Sequence, residues 1–384
     1  MARGGRRIRA VVALALAVAL VTAGCGSEPD GGEAAGADPT TTEAEAALSA
    51  AYEGATGEPP TTPSTPKTGV NLWVVSCGEQ VPSCAKPVAA AKTAAESVGW
   101  KATVCDGRLN PDGWGTCVRR AVSAKANVVI PIGIDCVSIQ QPFQEARAAG
   151  VTVVGGGGAD CDAVGGPKLW GSERLQLPDV GIKEYWGLTG KMAADYLIGT
   201  SNGTAQVLEL KFTDPLWGPW LSEGFEKELA TCKGCKIVKT LEMANNDFVS
   251  NTAATKFATA IQQATTADSI YVPVGGWMPT GFAQAVVASG RAGQLDVVTG
   301  FGDEANFDLI RSEGGQTAAL GYATAWGAYG SVDTAIRLLN GEAPQVQGDG
   351  FQMVDASHNL PAAGEDYDGG VDYVAAYRKL WGLD

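Results

Sequence analysis

The stretch from Asn127 to Gly158 leaves the chain few choices of fold. Val128–Ile132 is a short β-branched run between turn residues, which reads as a buried strand. An amphipathic segment follows over Ser138–Ala149. A second β-branched run, Val151–Val154, then ends in four glycines, Gly155–Gly158. Strand, helix and strand at this spacing make a βαβ unit, which requires a parallel sheet and a right-handed connection. Ligands of such sheets bind beyond the carboxyl ends of the strands. Asp135 and Cys136 fall at one such end and the glycines at the next. The glycines are not a phosphate loop, because no Lys-Ser/Thr pair follows them; they serve a turn or a close backbone approach.

The same rhythm runs through most of the chain. Val70–Ser76 and Trp100–Cys105 read as strands, Pro87–Gly99 and Trp114–Ala126 as the helices after them. Gly158–Glu184 breaks the alternation and reads as a crossing into a second lobe. Helix and strand then alternate again from Leu188 to Gly321, and a strong helix covers Trp326–Leu339. The expected fold is α/β, with two doubly wound parallel-sheet lobes. Residues 68–158 make the first lobe, 159–323 the second, and 324–353 return to the first. Residues 354–384 form a tail with a final helix at Val371–Trp381.

The N-terminus has the parts of an export signal over 1–24: Arg3, Arg6, Arg7 and Arg9, then the apolar Ile8–Val21, then small residues. The apolar run is short for a spanning helix. Thr22-Ala23-Gly24-Cys25 resembles a bacterial lipobox, which implies lipid on Cys25. Residues 25–67 are rich in Ala, Gly, Glu, Pro and Thr and read as a disordered tether. The net charge of −14 argues against nucleic acid as a partner.

Eight further cysteines, an even number, favour disulfides in an exported chain. Sequence leaves their connectivity open. Sequential pairing, Cys77 with Cys84, Cys105 with Cys117, Cys136 with Cys161 and Cys232 with Cys235, staples each strand end to its neighbour. Zinc at Cys232-Lys-Gly-Cys235 is not expected, since the chain has one His and no second such motif.

Several segments carry a family resemblance: VNLWVVS with the Ala-rich helix ending Val98-Gly99-Trp100, NVVIPIGID, and VTVVG. In the second half they are Leu188–Leu197, Ser222-Glu223-Gly224-Phe225, Asn246-Asp247-Phe248, Ser289-Gly290-Arg291, Val297–Phe301 and Leu338–Glu342. In this order and spacing, over Val70–Ala343, the chain resembles the type I periplasmic binding proteins, in their ribose/galactose-type sugar-binding branch. The resemblance implies hinge strands between the lobes, a small solute held in the cleft, and delivery to an ABC permease. It also implies a monomer on the extracytoplasmic face of the cell membrane, without cofactor or metal. A ligand-sensing head for a membrane receptor would have the same sequence features.

Asp135 occupies the position of a family carboxylate that accepts sugar hydroxyl protons; the competing role is a helix N-cap. Glu79 and Gln80 lie in the loop after the first strand. Trp217, Trp220 and Trp277 follow strands of the second lobe and are placed to stack on a ring face. Phe248 matches a family aromatic, Asp303 lies one residue from a family aspartate, and Tyr322 ends a strand at the hinge. An Arg near Trp217–Leu221, an Asn near Gly275 and a Gln near Tyr322 are missing from the family set. The loss of polar groups and gain of rings make an aromatic or apolar solute the alternative to a sugar. Catalysis is not expected: His358 stands alone, without a Ser-His-Asp set.

Overall fold

A computed structural model describes residues 39–383, and from Thr41 onward their side chains. The expected export signal and the lipidation site Cys25 lie outside the described residues.

The first sheet contains β1 (Asn71–Ser76), β2 (Lys101–Asp106), β3 (Val128–Ile132) and β4 (Thr152–Val153), in the order β2-β1-β3-β4. All its pairings are parallel. The β-branched run of β3 is buried at every position, as a strand covered on both faces must be. Helices α2 (Pro82–Ser97), α3 (Pro111–Ser123) and α4 (Gln140–Ala148) are its crossovers. Helix α2 begins five residues before the expected Pro87, because Pro82 suits the first helical position.

After α5 (Ile182–Thr200), the second sheet is built from β5 (Gln206–Phe212), β6 (Lys236–Met243), β7 (Ser269–Val272), β8 (Asp296–Gly302), β9 (Ala318–Tyr322) and β10 (Phe351–Asp355). Its order is β10-β9-β8-β7-β5-β6. Strand β10 alone is antiparallel, on β9. Between these strands run α6 (Trp217–Leu229), α7 (Asn245–Val249), α8 (Ala253–Gln263), α9 (Phe282–Ala288) and α10 (Glu304–Arg311). The architecture is the expected pair of parallel-sheet lobes.

Helix α11 (Thr324–Asn340) packs on α2 of the first lobe. Strand β10 does not follow it. Its apolar residues Phe351 and Met353 are fully buried in the second lobe, so residues 351–353 belong there. The tail is divided likewise: α12 (Tyr373–Leu380) places Tyr377, Leu380 and Trp381 in the core of the first lobe.

The disordered tether expected over 25–67 does not hold for residues 39–67. Pro39–Glu53 form a helix, α1, with Ala44 and Ala51 buried on α5. Gly199 of α5 permits this approach, since a Cβ there would stand 2.4 Å from the Leu48 Cβ. Buried Ala44 and Ala51 with only Leu48 and Tyr52 beside them suffice for a contact this close, so composition does not reveal it. Residues 55–57 then pair with 348–351.

The cysteines are bridged as 77–84, 105–117, 136–161 and 232–235. The first three brace loops at the carboxyl ends of the first sheet.

Candidate functional site

The carboxyl-end loops of the two sheets face each other, and Asp135 stands where they meet. It follows β3 and precedes a short 3₁₀ turn, Cys136–Ile139, to which its side chain gives no capping bond. Instead one oxygen accepts from the Ala159 N–H at 3.0 Å and the other from the Leu216 N–H at 2.9 Å. Leu216 lies in the second lobe, between β5 and α6, so the bond closes the seam. Asp135 is 4% exposed. Burial pushes its pKa up, opposed by the two backbone donors.

Two features hold Asp135 there. The Cys136–Cys161 bridge ties the loop after β3 to the segment after β4. Asp160, fully buried, accepts from the N–H groups of Cys161, Leu169 and Trp170 at 2.7–3.0 Å and so shapes that segment. Cys136, Asp160 and Cys161 also bring metal-type atoms together, but two sulfurs bonded to each other offer no thiolate ligands.

The second lobe answers with a wall of rings. Trp186 of α5 meets Trp217 at 5.8 Å, Phe301 at 5.3 Å and Tyr322 at 6.2 Å between centroids. Phe212, at the end of β5, joins Trp217 at 5.4 Å and Trp277 at 5.1 Å. Phe248 continues the row against Trp277 at 4.7 Å. These edge-to-face and tilted contacts suit the ring quadrupoles. Trp217, Phe248 and Phe301 remain only half-buried. The indole N–H of Trp186 is buried without an acceptor.

Phe301 reaches the wall through a backbone irregularity. The β8–β9 register shifts between Thr299 and Gly302, and Phe301 has φ +46°, uncommon for an aromatic residue. A bulge of this kind re-aims a side chain. Gly275 faces it closely: a Cβ there would lie 2.7 Å from the Phe301 carbonyl oxygen and 2.8 Å from that of Gly300.

Behind the wall, the hinge side carries a buried ion pair. Arg174 Nη2 stands 2.9 Å from Asp349 Oδ2 and donates to the Tyr322 hydroxyl at 2.8 Å. Burial raises the Asp349 pKa to about 6 against the opposing pull of Arg174. Neither Asp349 carboxylate oxygen accepts a well-aligned hydrogen bond.

The structure therefore gathers Asp135, Trp217, Trp277, Phe248 and Tyr322 along one seam. Trp220 is half-buried beside the same core, on the first turn of α6. Glu79 and Gln80 are exposed in the Cys77–Cys84 loop. The Asp303 side chain caps α10 by accepting from Ala305 and Asn306 N–H groups. Trp186, Phe212, Phe301, Arg174 and Asp349 were missed. Gly300-Phe301-Gly302 is a bulge signal in the sequence, and Phe212 ends a strand; Trp186, Arg174 and Asp349 have no local signature. A cavity of 560 Å³ lined by Thr200, Asp268, Asp296 and Thr317 opens at the amino ends of the second sheet, at the opposite edge from the seam.

A family model described as "Periplasmic binding protein domain" matches residues 84–343. A search of curated proteins finds no significant match. Among solved structures, the chain is similar to the 5-methylthioribose transporter solute binding protein of Thermotoga lettingae TMO in complex with 5-methylthioribose. That likeness has TM-score 0.67 and 14% identity over 85% of this chain and 100% of the other. An ABC transporter solute binding protein from Mycobacterium smegmatis with bound glycerol gives TM-score 0.64 and 17% identity, covering 77% and 99%. One from Agrobacterium vitis with bound α-D-tagatopyranose gives 0.63 and 20%, covering 75% and 95%. At these identities the likeness is one of fold.

Proposed function

Because this chain belongs to the periplasmic binding protein domain family, we propose that it captures a small sugar or sugar-like solute by closure of its two lobes. The reading includes lipid anchoring through Cys25, outside the cytoplasm, and delivery of the solute to an ABC permease. The observation that carries it is the seam itself. A buried carboxylate on one lobe, Asp135, faces a ring wall on the other, and the bond to Leu216 joins them. A carboxylate accepts two hydroxyl hydrogen bonds, and an indole covers the apolar face of a sugar ring. Contacts to both lobes favour closure, since a ligand shifts the equilibrium by its differential affinity.

The number of rings favours a second reading within the same site. Trp186, Trp217, Phe301 and Tyr322 form one contiguous apolar surface, and it suits an aryl or otherwise apolar-faced solute. A thermal-shift screen with free sugars, polyols, methyl glycosides, phenyl glycosides and aryl acids separates the two. A ligand bound only by the native state raises the melting temperature. Shifts with free sugars or polyols support the first reading, and shifts confined to the aryl compounds support the second. Shifts that survive unchanged in both Asp135→Ala and Trp217→Ala would remove this seam as the site.

A further inference from the structure

Four connections between the lobes follow from the topology: residues 154–181, Ala323, 341–350 and 356–372. Two of them run side by side, with Gln347 N–H donating to Leu175 at 2.7 Å and Gly348 N–H to Gln176 at 2.8 Å. Residues before β1 lie along this pair and touch both lobes.

On the second lobe, α1 is seated by Ala44 and Ala51. The Tyr52 hydroxyl donates to the Asp355 carboxylate, and its ring stacks on His358 with centroids 3.8 Å apart. Gly54, at φ +70°, ends the helix. Ala55 and Phe351 then exchange both backbone hydrogen bonds at 2.9 Å, and Gly57 N–H donates to Gly348 at 2.9 Å. On the first lobe, Arg337 donates to the Thr62 carbonyl at 2.7 Å and Asn340 to that of Thr65 at 2.9 Å. Buried Ser64 donates its N–H to Leu380 at 3.2 Å, and the Trp100 indole donates to Lys67 at 2.7 Å.

The hinge backbone is cut to receive this segment. A Cβ on Gly348 would lie 2.3 Å from the Glu58 carbonyl oxygen, and one on Gly350 would lie 1.8 Å from that of Ala55. Between the two sets of anchors the chain reads Glu58-Pro59-Pro60-Thr61-Thr62-Pro63. Proline fixes φ, and proline-rich spacers are semi-rigid rather than slack.

We propose that residues 39–67 are a strap, a fifth crossing that ties the lobes together at the hinge and restrains their opening. Swinging the lobes apart moves the α1 anchors relative to those on α11 and α12. A stiff spacer does not absorb that movement, so opening breaks the Ala55–Phe351 or the Ser64–Leu380 contacts. The inference rests on the two-lobe fold and is independent of which solute is captured.

The test needs no solute. Nitroxides are placed through non-canonical residues at Thr93 on α2 and Lys227 on α6, both exposed, and the distance distribution is measured by pulsed electron resonance. A specific protease sequence is inserted between Thr61 and Thr62, both exposed, and cut after folding, so the fold forms with the strap intact. The strap predicts a new, longer-distance population in the cut chain, and the same in A44D/A51D, which lifts α1 from α5. A cut chain that keeps the distribution of the uncut one overturns the proposal. The cut chain alone decides the matter where A44D/A51D does not fold.

Discussion

The Asp135 carboxylate accepts from the Leu216 N–H at 2.9 Å, across the seam between the lobes. One group thus serves two demands. It satisfies a backbone donor of the other lobe, next in sequence to Trp217 of the ring wall, and it is the carboxylate proposed to bind the solute. Asp135→Asn keeps an acceptor but removes the charge. A hydrogen bond to a charged group contributes about 1.5–3 kcal/mol. Asp135→Asn should therefore weaken solute affinity roughly 10-fold or more and shift the solute-free protein toward the open form. Calorimetric titration with a screen hit and solution scattering check the two halves of this prediction.

The bridge Cys136–Cys161 closes a loop of 25 residues next to Asp135. Loop-closure entropy at that length corresponds to about 3–4 kcal/mol. The double variant C136S/C161S should lose stability of that order in urea unfolding. Its affinity should fall together with that of Asp135 variants, because the same loop positions the carboxylate.

Gly275 is hemmed in by the carbonyls of Phe301 and Gly300. Backbone cannot move aside as a flexible side chain can. Gly275→Ala should destabilise the protein by about 1–3 kcal/mol, as overpacking does, and displace Phe301 from Trp217. A lowered melting temperature together with altered tryptophan emission is the expected result.

Glu209, fully buried on β5, has both carboxylate oxygens without a hydrogen-bond donor. Burial raises its pKa from the usual 4.5 to about 8, only partly opposed by Lys211. The folded state therefore holds a proton that the unfolded state releases. Stability from this group is intact below pH 4.5 and is lost as pH rises toward 8, at up to about 1.4 kcal/mol per unit. Glu209→Gln should be close to neutral at pH 4.5 and more stable than the parent at pH 8. Urea unfolding at the two pH values checks the sign.

Much of this was legible locally. The βαβ unit over 127–158 needs only side-chain periodicity, because a covered parallel strand must be apolar on both faces. Asp135, Trp217, Trp277, Phe248 and Tyr322 were open to proposal as site residues because each closely follows or ends a strand, and strand ends of such sheets line the ligand site. Trp186 was not, since it sits within a helix after a long irregular crossing. Asp303 shows the competing role of such a position: a strand-end carboxylate followed by a helix serves as its cap.

The amino-acid sequence by itself determined the two α/β lobes, their alternation and most strand ends, because these depend on patterns within about ten neighbouring residues. Tertiary structure alone decided that Leu216 takes one oxygen of Asp135, that β10 joins the second sheet, and that residues 39–67 lie across the hinge. These join segments separated by 29 to more than 300 positions. Such pairings are selected by shape and by satisfaction of backbone groups once the lobes have formed, and no local pattern encodes that fit.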